Sequence, residues 1–163
     1  KIAKKQMKSV QKTSVQELYA PKSICYGCGP SNQNGLQIKS MRTERGLELW
    51  YKPNKDHQAF PGVINGGIIG TLFDCHGNWC AALSLFDSNS YKKFPSTVTS
   101  SFSVKLLKPT PFDIMLHIIA KTISADRNKI EVEMELFANE DLCCIGKGLF
   151  VAVKQDHPAF HRW

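Results

Sequence analysis

From Gly66 to about Phe86, apolar side chains fall at nearly every angle of a helical wheel: Ile68, Ile69, Leu72, Phe73, Cys75, Trp79, Cys80, Ala82, Leu83 and Phe86, with almost no charge among them. A helix that is apolar all round belongs in the middle of a fold, and at 1.5 Å per residue it runs for about 30 Å. Elsewhere the pattern has the period of strands. Two runs, Leu36 to Met41 and Leu47 to Tyr51, flank Arg45-Gly46, and Leu47, Leu49 and Tyr51 alternate with Glu48 and Trp50, which predicts a hairpin. Residues 52–65, KPNKDHQAFPGVIN, hold two prolines and a glycine and show no period, so they read as a loop of functional length. After the polar DSNSYKKFPS come extended runs over Thr97 to Leu107, Phe112 to Ile123 and Lys129 to Ala138, and a fourth over Cys143 to Val153 beyond the turn Asn139-Glu140-Asp141. A hairpin, one long helix and then a four-strand meander argue for an α+β fold with an antiparallel sheet that curls around the helix, not for alternating βαβ units.

Composition narrows this little. The chain has 163 residues, 42% of them hydrophobic, which suits one domain over residues 21–155, a basic arm over 1–20 and a short tail over 156–163. No run approaches the 18 or more apolar residues of a membrane span. The six cysteines, at 25, 28, 75, 80, 143 and 144, have no framework spacing and suit reduced thiols. A cytoplasmic location is therefore expected, although the chain begins with Lys1 and an organellar address upstream of it would not be readable. A net charge of +7 suggests an anionic ligand. No Gly-rich phosphate loop, basic-aromatic RNA motif or helix-turn-helix pattern accompanies that charge, so a nucleic-acid partner is not expected.

The candidate chemistry starts with Asp74, the only acid between Asp56 and Asp87, set in the middle of the apolar helix. A buried carboxylate needs a partner or a role. Gly66 and Gly67 open the same helix, where the first backbone N–H groups lack intrahelical acceptors and the dipole favours negative charge. Either glycine lets a substrate oxygen approach the main chain closely, or else serves close packing of helix on sheet. Asp74 stands about 80° round the wheel from Gly66, so both border one cleft if a ligand lies along the helix.

Asn65-Gly66-Gly67, Asp74 eight positions after the first glycine, Thr99 ten residues before Pro109, and the strand end VKLLKP together resemble the hotdog-fold thioesterases of the PaaI-like acyl-CoA group. CYGCG at 25–29, Asn34-Gly35-Leu36 and HQAFPGVI at 57–64 match a subset of that group, and the resemblance runs from about Cys25 to Val153. It implies a hotdog fold, a curved antiparallel sheet wrapped around one long central helix. The implied reaction is hydrolysis of an acyl-CoA thioester at a site built between protomers of a homodimer or a dimer of dimers. In it Gly66 would donate to the oxyanion, Asp74 would act as general base or nucleophile, and Thr99 and Gln58 would position water. His57, Asn65 and Gly67 would bind the thioester. Lys105, Lys108, Arg127 and Lys129 would meet the phosphates of coenzyme A or, alternatively, solvate strand edges. Coenzyme A enters only as part of the substrate, and no metal or other cofactor is implied. Two departures from the pattern stand out, Asn65 for the usual His and Ala59 where relatives carry Asn, and they favour a non-catalytic acyl-CoA or lipid binder as the alternative. A hydratase is disfavoured because Asp56-His57 lack the spacing that reaction uses.

Cys25 and Cys28 form a CxxC with no second pair or nearby His, so a closed four-ligand zinc site is not available from that segment. Cys75 and His76, as neighbours on a helix, should face different ways. Cys143 and Cys144 alternate across a strand, as core residues do. Phe60, Phe73, Trp79 and Phe102 are expected to set the depth of the acyl pocket.

Overall fold

A computed structural model describes residues 13–88 and 90–161. In chain order the elements are a short helix α1 (Val15–Tyr19), the hairpin strands β1 (Ser40–Thr43) and β2 (Gly46–Tyr51), and a 3-10 turn (Lys55–His57). There follow a small ribbon of β3 (Gln58–Phe60) and β4 (Val63–Ile64), the long helix α2 (Gly66–Asp87), and strands β5 (Thr97–Leu106), β6 (Leu116–Asp126), β7 (Lys129–Ala138) and β8 (Asp141–Ala152). One six-stranded sheet has the order β1-β2-β6-β7-β8-β5, and every neighbouring pair is antiparallel. The sheet wraps around α2, and β5, the first strand after the helix, forms its far edge.

α2 packs against β2, β5, β6, β7 and β8. Ile69, Leu72, Phe73, Trp79, Ala81, Leu83 and Leu85 are buried with Leu49, Ile118, Val132, Met134, Leu136 and Phe150 from the sheet. Each large side chain so buried contributes roughly 1.5–3 kcal/mol, which outweighs the modest intrinsic helicity of the segment. Helix and sheet approach closely because neither carries a side chain at the crossing: a Cβ on Gly77 would lie 2.8 Å from Phe150, and one on Gly146 would lie 3.0 Å from Phe73.

Four local expectations shift. The run predicted as a strand from Leu36 joins the sheet only at Ser40, because Leu36 and Ile38 donate their N–H groups to the carbonyls of Tyr26 and Gly27 instead. The loop 52–65 is organised by the 3-10 turn and the β3–β4 ribbon. Glu48, expected on the open face of the hairpin, is buried, with His117 at 2.8 Å and Arg45 at 2.5 Å around its carboxylate. Residues 1–12 of the expected basic arm lie outside the described residues. From Ser14 onward the chain packs inward: Ser14 caps α1 in a reciprocal box with Glu17, and Val15 and Gln16 are fully buried.

Gln16 begins a buried polar chain. Its Nε2 donates to Ser40 Oγ (2.9 Å), Ser40 Oγ bonds His76 Nδ1 (2.8 Å), and His76 Nε2 reaches the Leu47 carbonyl (3.0 Å). A carbonyl only accepts, so the His76 proton sits on Nε2, and Nδ1 accepts from Ser40. Burial holds the His76 pKa down at about 4, and the ring is neutral at physiological pH. The histidine that sequence placed beside Asp74 therefore ties α1, the hairpin and α2 together.

Candidate active site

One stripe of α2, at i, i+4 spacing, runs along the edge strand β5. Gly66 lies under Leu106 and Gly70 under Phe102, each with room for a Cβ 3.7 Å from the β5 side chain. Asp74 Oδ1 accepts from Thr99 Oγ1 at 2.5 Å, and Asn78 Nδ2 donates to the Thr97 carbonyl at 3.3 Å. In a regular strand, residues 99 and 102 point to opposite faces. They share a face here because the pairing to β8 slips between Thr99 and Ser101, leaving Ser100 as an extra bulged residue.

Asp74 is half-buried, and its Oδ2 has no donor among the described residues. Burial pushes its pKa up, the Thr99 hydroxyl opposes that shift, and the nearby Cys25 sulfur adds to it. A carboxylate raised toward neutrality with one open oxygen is equipped to take a proton. At the helix start, Asn65 is the N-cap: its Oδ1 accepts from Gly67 N–H at 2.8 Å, so Gly67 is not free to bind a ligand through its amide. The exposed Gly66 N–H has no acceptor among the described residues and is the open donor at this positive helix end.

The preceding loop is held by its own amides. Gln58 Nε2 donates to the Lys55 carbonyl (2.8 Å), and Gln58 Oε1 accepts from Gly62 N–H (2.6 Å), which leaves one amide hydrogen over. His57 Nδ1 accepts from Asn54 N–H (3.3 Å), and its carbonyl accepts from Asn65 N–H (2.8 Å), so Nδ1 is occupied within the loop.

No protein-family model and no curated protein sequence matches the chain. Solved structures do. A thioesterase superfamily protein from Shewanella loihica PV-4 is 28% identical, with 81% of this chain and 96% of that one covered, at a TM-score of 0.64. A thioesterase from Haemophilus influenzae matches at 17% identity over 78% and 91% of the two chains, with a TM-score of 0.65. A phenylacetic acid degradation-related protein from Ralstonia eutropha JMP134 matches at 17% identity over 77% and 92%, with a TM-score of 0.63. The fold is the hotdog of the thioesterase superfamily.

Within this hotdog the remaining expected site residues scatter. Lys105 alternates to the outer face of the sheet, where it lines a cleft with Glu133 and Glu135. Lys108 is paired with Asp141 at 2.9 Å. Arg127, in the left-handed region at φ 55°, and Lys129 sit at the β6–β7 turn, beside Val151. Lys105 pairs with Ile145 of β8 and Lys129 with Val151, six residues and so about 20 Å apart along that strand. The chain by itself thus has no single cluster of these four cations. The aromatic residues divide as well: Phe73 and Trp79 belong to the hotdog core, while Phe60 is 61% and Phe102 43% exposed.

One grouping was not foreseen. Cys25, Cys28 and Cys75 bring their sulfurs within 4.8 Å of one another, although the CxxC and the helix lie some fifty positions apart. The readable signal was Gly27, between the two loop cysteines: a Cβ there would fall 2.3 Å from Cys75 Sγ.

Proposed function

We propose that this protein hydrolyses acyl-CoA thioesters at a site shared by two copies of the chain, with Asp74 as general base. The observation that carries the reading is the Asp74–Thr99 pair on the same helix stripe as the unbonded Gly66 N–H. The thioester oxygen accepts from Gly66 N–H, which stabilises the charge that develops on it. Asp74 takes a proton as the water oxygen bonds to the carbonyl carbon, and Thr99 orients the carboxylate. The tetrahedral intermediate then re-forms its carbonyl, the C–S bond breaks, and the coenzyme A thiolate leaves and is protonated.

Two copies are needed for a geometric reason. Eight helical residues separate Gly66 from Asp74, a rise of about 12 Å, too far for both to serve one carbonyl. The two positions are symmetric about Gly70. A two-fold axis near Gly70 would set α2 antiparallel to its copy and bring Gly66 of one chain to Asp74 of the other, twice. β5, exposed along Ser100–Ser103 and with no strand beyond it among the described residues, supplies the edge for pairing.

The test is subunit complementation in a thiol-release assay across short, long and aromatic acyl-CoAs. Asp74→Asn and Gly66→Pro are each expected to be inactive; proline is tolerated at a first helical position but lacks the N–H. Refolded together in equal amounts, they should recover about a quarter of wild-type activity, because half the dimers would carry one intact site. No recovery would refute the shared site. Tight acyl-CoA binding without turnover in the wild type would favour the non-catalytic reading, which the internal use of the Asn65 and Gln58 amides supports.

A further inference from the structure

We infer that the sulfurs of Cys25, Cys28 and Cys75 form a three-thiolate site for one thiophilic d10 cation of the Zn2+ class, clamping the 23–38 segment onto α2. The inference does not depend on the proposed hydrolysis. Cys-x-x-Cys is the spacing of half a zinc site, and the structure supplies the third sulfur from the helix. A tetrahedral centre with Zn–S bonds of about 2.3 Å has S···S edges of about 3.8 Å. Cys25 and Cys75 Sγ are 3.8 Å apart, and no pair exceeds 4.8 Å, so closing the set needs about 1 Å of movement at most. A disulfide would instead require these sulfurs to close to about 2.05 Å.

A hydrogen-bond donor also reaches the set. Trp79 Nε1 donates to Cys28 Sγ at 3.2 Å. Such N–H···S bonds orient and stabilise coordinating thiolates. Cys28 and Cys75 are buried while Cys25 is half-buried, so the fourth corner opens on the Cys25 side to water or a small ligand. The turn is tight on itself and on the helix: a Cβ on Gly29 would lie 2.5 Å from the Cys25 nitrogen and from the Ser23 carbonyl oxygen, and one on Gly27 would strike Cys75. The chain then pairs with this turn through Leu36 and Ile38, and the clamp fixes the residue next to Asp74.

The experiment is titration of the anaerobically reduced, full chain with Co2+ and then Zn2+. Saturation at one equivalent is expected, with thiolate-to-cobalt charge-transfer and tetrahedral d–d bands that Zn2+ abolishes. Cys25→Ser, Cys28→Ser and Cys75→Ser should each lose the charge-transfer band or cut affinity at least 100-fold, whereas Cys80→Ser and Cys143→Ser should keep both. Because a buried variant could fail to fold, alkylation of the wild type is read in parallel by mass spectrometry, with Zn2+ expected to protect Cys25. Absent charge transfer, an unchanged band in folded Cys75→Ser, no protection of Cys25, or a Cys25–Cys75 disulfide recovered from cells lysed in alkylating agent would each overturn the inference.

Discussion

Asp74 and His76 are two residues apart on one helix and have opposite fates. His76 is fully buried, with both ring nitrogens bonded inside the chain, to Ser40 and to the Leu47 carbonyl. Asp74 is half-buried and, among the described residues, has a single bond, from Thr99, with its other oxygen open. Burial acts against the charged form in both, lowering the histidine and raising the acid. Saturation separates them: a buried polar group whose bonds are complete holds elements together, and one left partly unsatisfied has capacity for a ligand.

The largest expected effect comes from removing the open group. Asp74→Asn should lower kcat/KM for acyl-CoA by about 10²–10⁴, with the melting temperature unchanged or raised, since a carboxylate disfavoured by burial is replaced with a neutral isostere. A variant that keeps wild-type turnover would end the distinction drawn here. His76→Ala should do the reverse. It strands the Ser40 hydroxyl and the Leu47 carbonyl and leaves a cavity, a loss of about 3 kcal/mol, measured by denaturant unfolding, while turnover per folded molecule persists. Thr99→Val is intermediate, an expected loss of about tenfold in kcat. It also removes the bond that holds the Asp74 pKa down, so the acid limb of the kcat/KM profile should move to higher pH; an unmoved limb would detach Thr99 from the acid.

The two groups should also show opposite slopes with pH. The folded His76 pKa, about 4, lies below its unfolded value near 6.5. Its neutral burial therefore favours folding fully above 6.5, and that contribution falls away on acidification toward 4, about 3 kcal/mol in all. Asp74 has a raised folded pKa, so its contribution is greatest below the unfolded carboxylate value and is lost as pH rises through the folded one. Urea midpoints of wild type, Asp74→Asn and a folded His76 variant across that range should separate the two slopes.

The sheet, the central helix and the isolated acid were legible because each is a local pattern: period two, apolar all round, and one charge where none belongs. Asn65 carries a local signal too, since Asn directly before a helix is among the best N-caps. Other features depend on partners that no window contains. Leu36 to Lys39 has strand composition, but its N–H groups are taken by the CxxC turn. His76 reads only as a polar neighbour of Cys75 turned to another face until Ser40 and Leu47 are brought to it, and Cys75 reads as packing until Cys25 and Cys28 arrive from the far side of the hairpin.

The bulge at Ser100 divides β5 into two halves that answer to different demands. Upstream of it Thr97 and Thr99 keep step with Asn78 and Asp74; downstream, Phe102 and Leu106 keep step with the two glycines of α2. Removing that one residue would turn one half inside out while leaving the other in place. Ser100 is thus a joint between two independently variable modules, and the apolar half can change without disturbing the alignment of hydroxyl and acid.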